Sequence, residues 1–156
     1  NRLRFSRFVR ALDNIQDGSI LNTDASLTLE KRIVPNIQRA EKVEINFNNP
    51  IRTSTVDSTQ FTFQGFISYL DDDGNGNIRI YHFDENRQKV IILPAAGTVD
   101  YDTGSIVIEN FAPTAYAGIE LKITMTPDRL DIIPVREQIL VMESSDAVIT
   151  LVGETE

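Results

Sequence analysis

From residue 26 onward, apolar side chains in this chain recur at every second position, and that period dictates strands. Val43, Ile45 and Phe47 alternate with Glu44 and Asn46, and Ile119, Leu121, Ile123 and Met125 alternate with Glu120, Lys122, Thr124 and Thr126. Successive strand residues point to opposite faces, so the pattern sets one face on a core and the other in water, as antiparallel sheets do. Further strands are predicted over 27–34, 59–69, 77–83, 88–93, 105–110, 136–142 and 147–152. Asn49-Pro50, Asp73-Gly74, Asn75-Gly76, Asp102-Thr103-Gly104 and Ala112-Pro113 separate them with turn chemistry. The prolines lie near proposed strand ends, where a missing amide donor does least harm. Two hairpins follow: 59–69 returns as 77–83 through DDDGNGN, and 97–102 returns as 105–110. Gly65, which interrupts FTFQGFISYL, reads as a bulge or a close approach by another backbone. The fold class expected is mainly β, antiparallel sheets in a β-sandwich-like module, not βαβ units.

The N-terminus follows another period. Phe5, Phe8, Val9 and Leu12 share one helical face, with Arg4, Arg7 and Arg10 on another, and Asp17-Gly18 is a stop. A single amphipathic helix is predicted over about residues 4–15. Residues 1–20 are thus a helical arm or the end of a preceding segment, and 21–156 an antiparallel β domain, with a boundary between two small β subdomains placed near 110–118. The chain opens on Asn1, not Met, so we read it as a piece of a longer protein.

Composition matters chiefly for what it excludes. The absence of cysteine removes disulfides, thiolate zinc sites and cysteine nucleophiles. A net charge of -8 opposes general nucleic-acid binding, which needs phosphate-neutralising Lys and Arg. No apolar run reaches the roughly 20 residues of a membrane span, so neither nucleic acid nor membrane is an expected partner. The charge is uneven: residues 1–10 hold Arg2, Arg4, Arg7 and Arg10 and no acid. We read this +4 as the polar face of the arm, turned toward acidic protein surface.

The sharpest chemical motif is DDDGNGNI, residues 71–78. Asp71, Asp73, Asn75, Gly76 and Ile78 occupy the first, third, fifth, sixth and eighth places of an EF-hand calcium loop. The twelfth place, where a bidentate Glu belongs, holds His82, and both flanks read as strands. The motif is therefore predicted to be a hairpin loop whose Gly and Asn tolerate positive φ. His82 is the only histidine, it is embedded in a strand, and no G-x-S-x-G accompanies it. Asp100 and Asp102, or the 71–73 run, are carboxylate groupings of the kind that hydrolyse glycosides, but acids in turns are mostly solvated turn-formers. GNG lacks the Lys-Ser/Thr and the helix of a phosphate loop. The expectation is a non-enzymatic chain with no catalytic, cofactor-binding or metal-binding residues and no cofactor.

Three stretches carry a resemblance: ALDNIQDGSILNTDASLTLEKRIVP (11–35), GTVDYDTGSIVIENF (97–111) with its DY-x-TG-x-I-x-I core, and IIPVREQILVM (132–142). Together they resemble the C-terminal region of the baseplate wedge protein that forms the inner ring in T-even-type contractile-tailed phages and their marine relatives. The resemblance implies a structural component of the virion tail, assembled in the host cytoplasm. Its implied partners are other wedge subunits and copies of itself in a homo-oligomeric ring, and the family has no catalytic residues to carry over. The rival reading is a β-sandwich adhesin or carbohydrate-binding module with a weak calcium loop at 71–77.

Overall fold

The computed structural model describes residues 3–4, 25–129, 131–132 and 138–144. Among them every regular element is a strand: β1 Leu3–Arg4, β2 Ala25–Ile33, β3 Glu41–Asn46, β4 Asp57–Ser58, β5 Phe61–Phe63, β6 Phe66–Asp72 and β7 Asn77–Phe83. They continue with β8 Lys89–Asp100, β9 Ser105–Phe111, β10 Ala115–Tyr116, β11 Leu121–Met125, β12 Asp131–Ile132 and β13 Gln138–Ser144. β1 and β12 pair as a short two-stranded ladder. The rest form one 11-stranded antiparallel sheet, ordered β13-β2-β11-β4-β6-β7-β8-β9-β3, with β5 on β6 and β10 on β5.

The alternation in sequence becomes the inside and outside of this sheet. Leu121, Ile123 and Met125 of β11 are fully buried while Lys122 and Thr124 stand half-exposed between them. Ile106 and Ile108 of β9, and Ile78 and Ile80 of β7, repeat the arrangement. They meet Leu29, Ile45, Phe47, Leu70 and an edge-on Phe61–Phe111 pair with ring centroids 5.2 Å apart. Each such side chain is stabilised by about 1.5–3 kcal/mol on burial. A one-residue slip would turn a whole strand's apolar set into water, so the registers are strongly specified.

The sheet curls until it nearly closes into a barrel. The strip after β3 spans the remaining gap: Phe47 N–H donates to Gly104 O (2.9 Å) and Ile51 N–H to Tyr101 O (2.7 Å). On its far side Ile51 bridges Pro127, just past β11, and Arg52 N–H donates to Thr126 O (2.9 Å). The expected antiparallel β class therefore stands, as one continuous curled sheet and not as two stacked layers.

Several sequence expectations change. FTFQGFISYL is not one strand. Gln64 (φ 50°) and Gly65 (φ 85°) make a two-residue turn with both φ positive, the type I′ geometry that joins β5 to β6. Gly65 is thus neither a bulge nor a close approach, since a Cβ there would meet nothing within 4 Å. The strands proposed at 88–93 and 97–102 are one strand, β8, whose register against β7 shifts twice between Ile78 and Tyr81. Pro94 lies inside it and not at an end, on an irregular stretch that tolerates the lost donor. Ile119, assigned to the buried face, precedes β11 and is 84% exposed. The 77–83 and 105–110 strands are found as expected; both hairpins form, the first on β6 alone with a loop of only 73–76, the second turning after Asp100 and not after Asp102. Apart from Arg4 in β1, the helix at 4–15 and the strand at 147–152 lie outside the described residues.

Candidate functional site

Asp71 and Asp72 end β6 side by side, and strand alternation sends their side chains to opposite faces. Asp72 turns toward the closure of the barrel and is 3% exposed. It accepts hydrogen bonds from Ser54 N–H (2.6 Å), Val56 N–H (2.8 Å) and the Tyr101 hydroxyl (2.7 Å). Tyr101 belongs to the DY-x-TG turn, and burial together with that hydrogen bond pushes its pKa up to about 12. Its neighbour Asp100 caps the same turn, accepting from Asp102 N–H (3.0 Å) and Thr103 N–H (3.2 Å), and the bonding from Thr103 holds its pKa low. The motif is legible as chemistry: it ties the β8–β9 turn, the 51–56 loop and β6 together.

Asp71 faces out. Arg79 grips it in a fork, Nε to Oδ1 at 2.9 Å and Nη2 to Oδ2 at 2.6 Å, and Lys89 Nζ stands 2.8 Å from Oδ2. Lys89 also lies 3.9 Å from the Tyr81 ring centroid, a cation–π distance. These groups border a cleft of about 410 Å³ that Asp57 and Asp73 also line. Asp57 is exposed as a residue, yet its carboxyl abuts the cleft; desolvation there raises its pKa, and Asp71 adds to the effect. Desolvation likewise pushes Tyr81 up to about 12, with Asp57 and Asp71 contributing.

Beyond the cleft the same outer face becomes apolar. Tyr69 stacks on Tyr81 (5.6 Å), and Phe83 sits edge-on to both, at 5.8 and 5.5 Å. Ile67, Phe83 and Ile91 continue this strip toward the ends of β6, β7 and β8, 61%, 48% and 37% exposed. On the inner-facing side of the same strand ends, His82 stacks on exposed Phe66 at 4.5 Å. Tyr, Phe and Arg are the residue types enriched at the cores of protein interfaces.

The calcium-loop reading fares differently from position to position. Asp71 is held by Arg79 and Lys89 on the outer face. Asp73 accepts from Asn75 N–H (2.8 Å), Asn77 N–H (3.0 Å) and Asn77 Nδ2 (2.7 Å), and these bonds hold its pKa low, the Asn77 side chain most of all. The residues at the first and third places of the calcium pattern are thus committed to separate protein partners, and the loop closes the predicted hairpin over residues 73–76. Among the described residues no group of three or more His, Asp or Glu is placed to hold a metal. His82 Nδ1 lies 3.2 Å from the Phe83 carbonyl oxygen, and Phe66 covers its ring.

Sequence reasoning missed Asp57, Arg79, Lys89 and the Ile67–Phe83–Ile91 strip. A signal existed: once 71–78 is read as a hairpin, parity alone puts Tyr69, Asp71, Arg79, Tyr81 and Phe83 on one face. Of the stretches that carry the resemblance, β2 and β13 pair directly, Leu29 opposite Leu140, while 97–111 forms the β8–β9 hairpin at the closure. No family model, no curated protein and no solved structure matches this chain.

Proposed function

We propose that this chain is a structural module of a phage tail baseplate that mediates subunit–subunit contacts in the wedge and inner ring of the virion. The observation that carries the reading is the outer aromatic strip, an exposed run of large apolar side chains beside paired charges, on which no described element packs. Contiguous apolar surface of this kind marks interaction sites in soluble proteins. The resemblance of residues 11–35, 97–111 and 132–142 supplies the assembly in which such a surface is used. In this proposal residues 1–20 are an amphipathic arm on the curled β body, and the chain catalyses nothing. A calcium-dependent adhesin fits less well, because Asp71 and Asp73 already have protein partners.

The test is genomic. Sequencing the surroundings of the gene should find sheath, tube and other baseplate genes alongside it. Neighbours encoding polysaccharide-degrading enzymes or surface adhesins would overturn the reading.

A further inference from the structure

The strip and the cleft beside it ask for a particular occupant. The strip presents Ile67, Tyr69, Phe83 and Ile91 to apolar side chains. In the cleft both cations, Arg79 and Lys89, are drawn to Asp71. Asp57 and Asp73 have no ion pair among the described residues. The lining therefore holds more carboxylates than cations. A complementary segment interleaves large apolar residues with arginines and carries no acid.

Arg4-Phe5-Ser6-Arg7-Phe8-Val9-Arg10-Ala11-Leu12 has that composition, and the first ten residues carry +4 in a chain of net -8. Arginine suits such a site because its planar fork pairs with carboxylates while its face lies against aromatic rings. We propose that the Ile67–Phe83–Ile91 strip with its acidic cleft docks the Phe5–Leu12 part of this segment, just past β1, from a second copy of the chain. This inference rests on the assembly reading above and names the partner of that surface. Segment and strip are different patches, so the contact is heterologous: each copy offers one of each, and head-to-tail joining closes a ring when the rotation allows. Opposite charges steer the encounter, and added salt weakens it.

The experiment uses the whole chain, with mass followed by sedimentation against protein concentration. One variant, Phe5→Ser with Phe8→Ser, disables the segment; a second, Ile67→Ser with Phe83→Ser, disables the strip. The wild type should gain mass with concentration, and each variant alone should associate at least about tenfold more weakly, the loss expected for removing apolar anchors. Mixed one to one, the variants should recover a two-chain species, because one keeps its strip and the other its segment. A segment variant that still self-associates would show strip-to-strip pairing and overturn the proposal. A strip variant that self-associates like the wild type would show that the contact lies elsewhere. A wild type that stays monomeric would overturn it too, and the segment would then belong to its own copy or the strip to a different protein. Melting curves check that the variants fold; if the strip variant does not, Ile91→Lys, at another exposed position of the strip, replaces it. Loss of the contact leaves the genomic result standing, so the two ideas fail separately.

Discussion

Asp71 and Asp72 are adjacent, identical in chemistry and both largely buried, yet they serve different regions of the molecule. Asp72 is satisfied by two backbone amides of the 51–56 loop and the hydroxyl of Tyr101 in the β8–β9 turn. Asp71 is satisfied by Arg79 and Lys89, side chains that are 27% and 41% exposed and can turn to water. An acceptor whose partners are held in place by the closing strip is structural, because its loss strands them, at a cost of about 1–3 kcal/mol for a buried donor such as Val56 N–H. An acceptor serving partly solvated cations is worth far less, because water takes its place. The difference separates a closure that holds the fold from a surface free to meet a partner.

The contrast is most exposed to refutation at Asp72. Asp72→Ala leaves Ser54 N–H, Val56 N–H and the Tyr101 hydroxyl without their acceptor, and should cost about 3 kcal/mol. That corresponds to a fall of about 10 °C in Tm for a domain of this size. If thermal unfolding shows no greater loss than for Asp71→Ala, the two regions do not differ in kind.

Gly104→Ala comes next. Gly104 sits at φ +77° in the β8–β9 turn, and a Cβ there would run into the Asn49 carbonyl oxygen. Strain at such a position costs about 1–3 kcal/mol, and Phe47 loses its register against the turn. Denaturant unfolding should show the midpoint shifted down with the slope unchanged, the signature of a stability change alone.

Asp71→Ala should cost only about 1 kcal/mol, since Arg79 and Lys89 both reach solvent. Its sharper readout is salt: the wild type should lose part of its advantage over the variant in high salt, whereas the Asp72→Ala deficit should persist.

Asp57 gives the smallest effect, and its sign is informative. Burial raises its pKa, so the fold prefers the protonated acid. The stability this contributes is fully present below the ordinary aspartate value and is lost as pH rises through the raised one. At neutral pH the charged Asp57 is therefore a small burden, and Asp57→Asn should melt slightly higher than wild type there. In acid below the aspartate range the difference should vanish. Asp73 runs the other way: its lowered pKa stabilises the fold above the ordinary value and is lost as pH falls through the depressed one.

Much of this was legible in advance, for identifiable reasons. Ile106 and Ile108, or Leu121, Ile123 and Met125, announce a buried face because strand geometry has a period of two and water penalises the alternative. The DDDGNGN and DY-x-TG turns announce themselves because few residues tolerate positive φ. FTFQGFISYL misled because its Gln64-Gly65 turn leaves no polar run behind it. Ile119 misled because alternation persists one step past the strand, where the core no longer reaches.

By itself, then, the sequence determined the class of fold, the faces of its central strands, the DDDGNGN and DY-x-TG turns and the absence of any cysteine chemistry. Those are local properties of backbone geometry and side-chain polarity. Tertiary structure alone decided that one sheet curls onto itself through the 47–52 strip, and that Asp71 and Asp72 divide between surface and closure. It also decided that Asp57, Arg79 and Lys89 meet beside an aromatic strip. These depend on which strands become neighbours, and pairing between segments far apart in sequence is settled only when the whole core is buried at once.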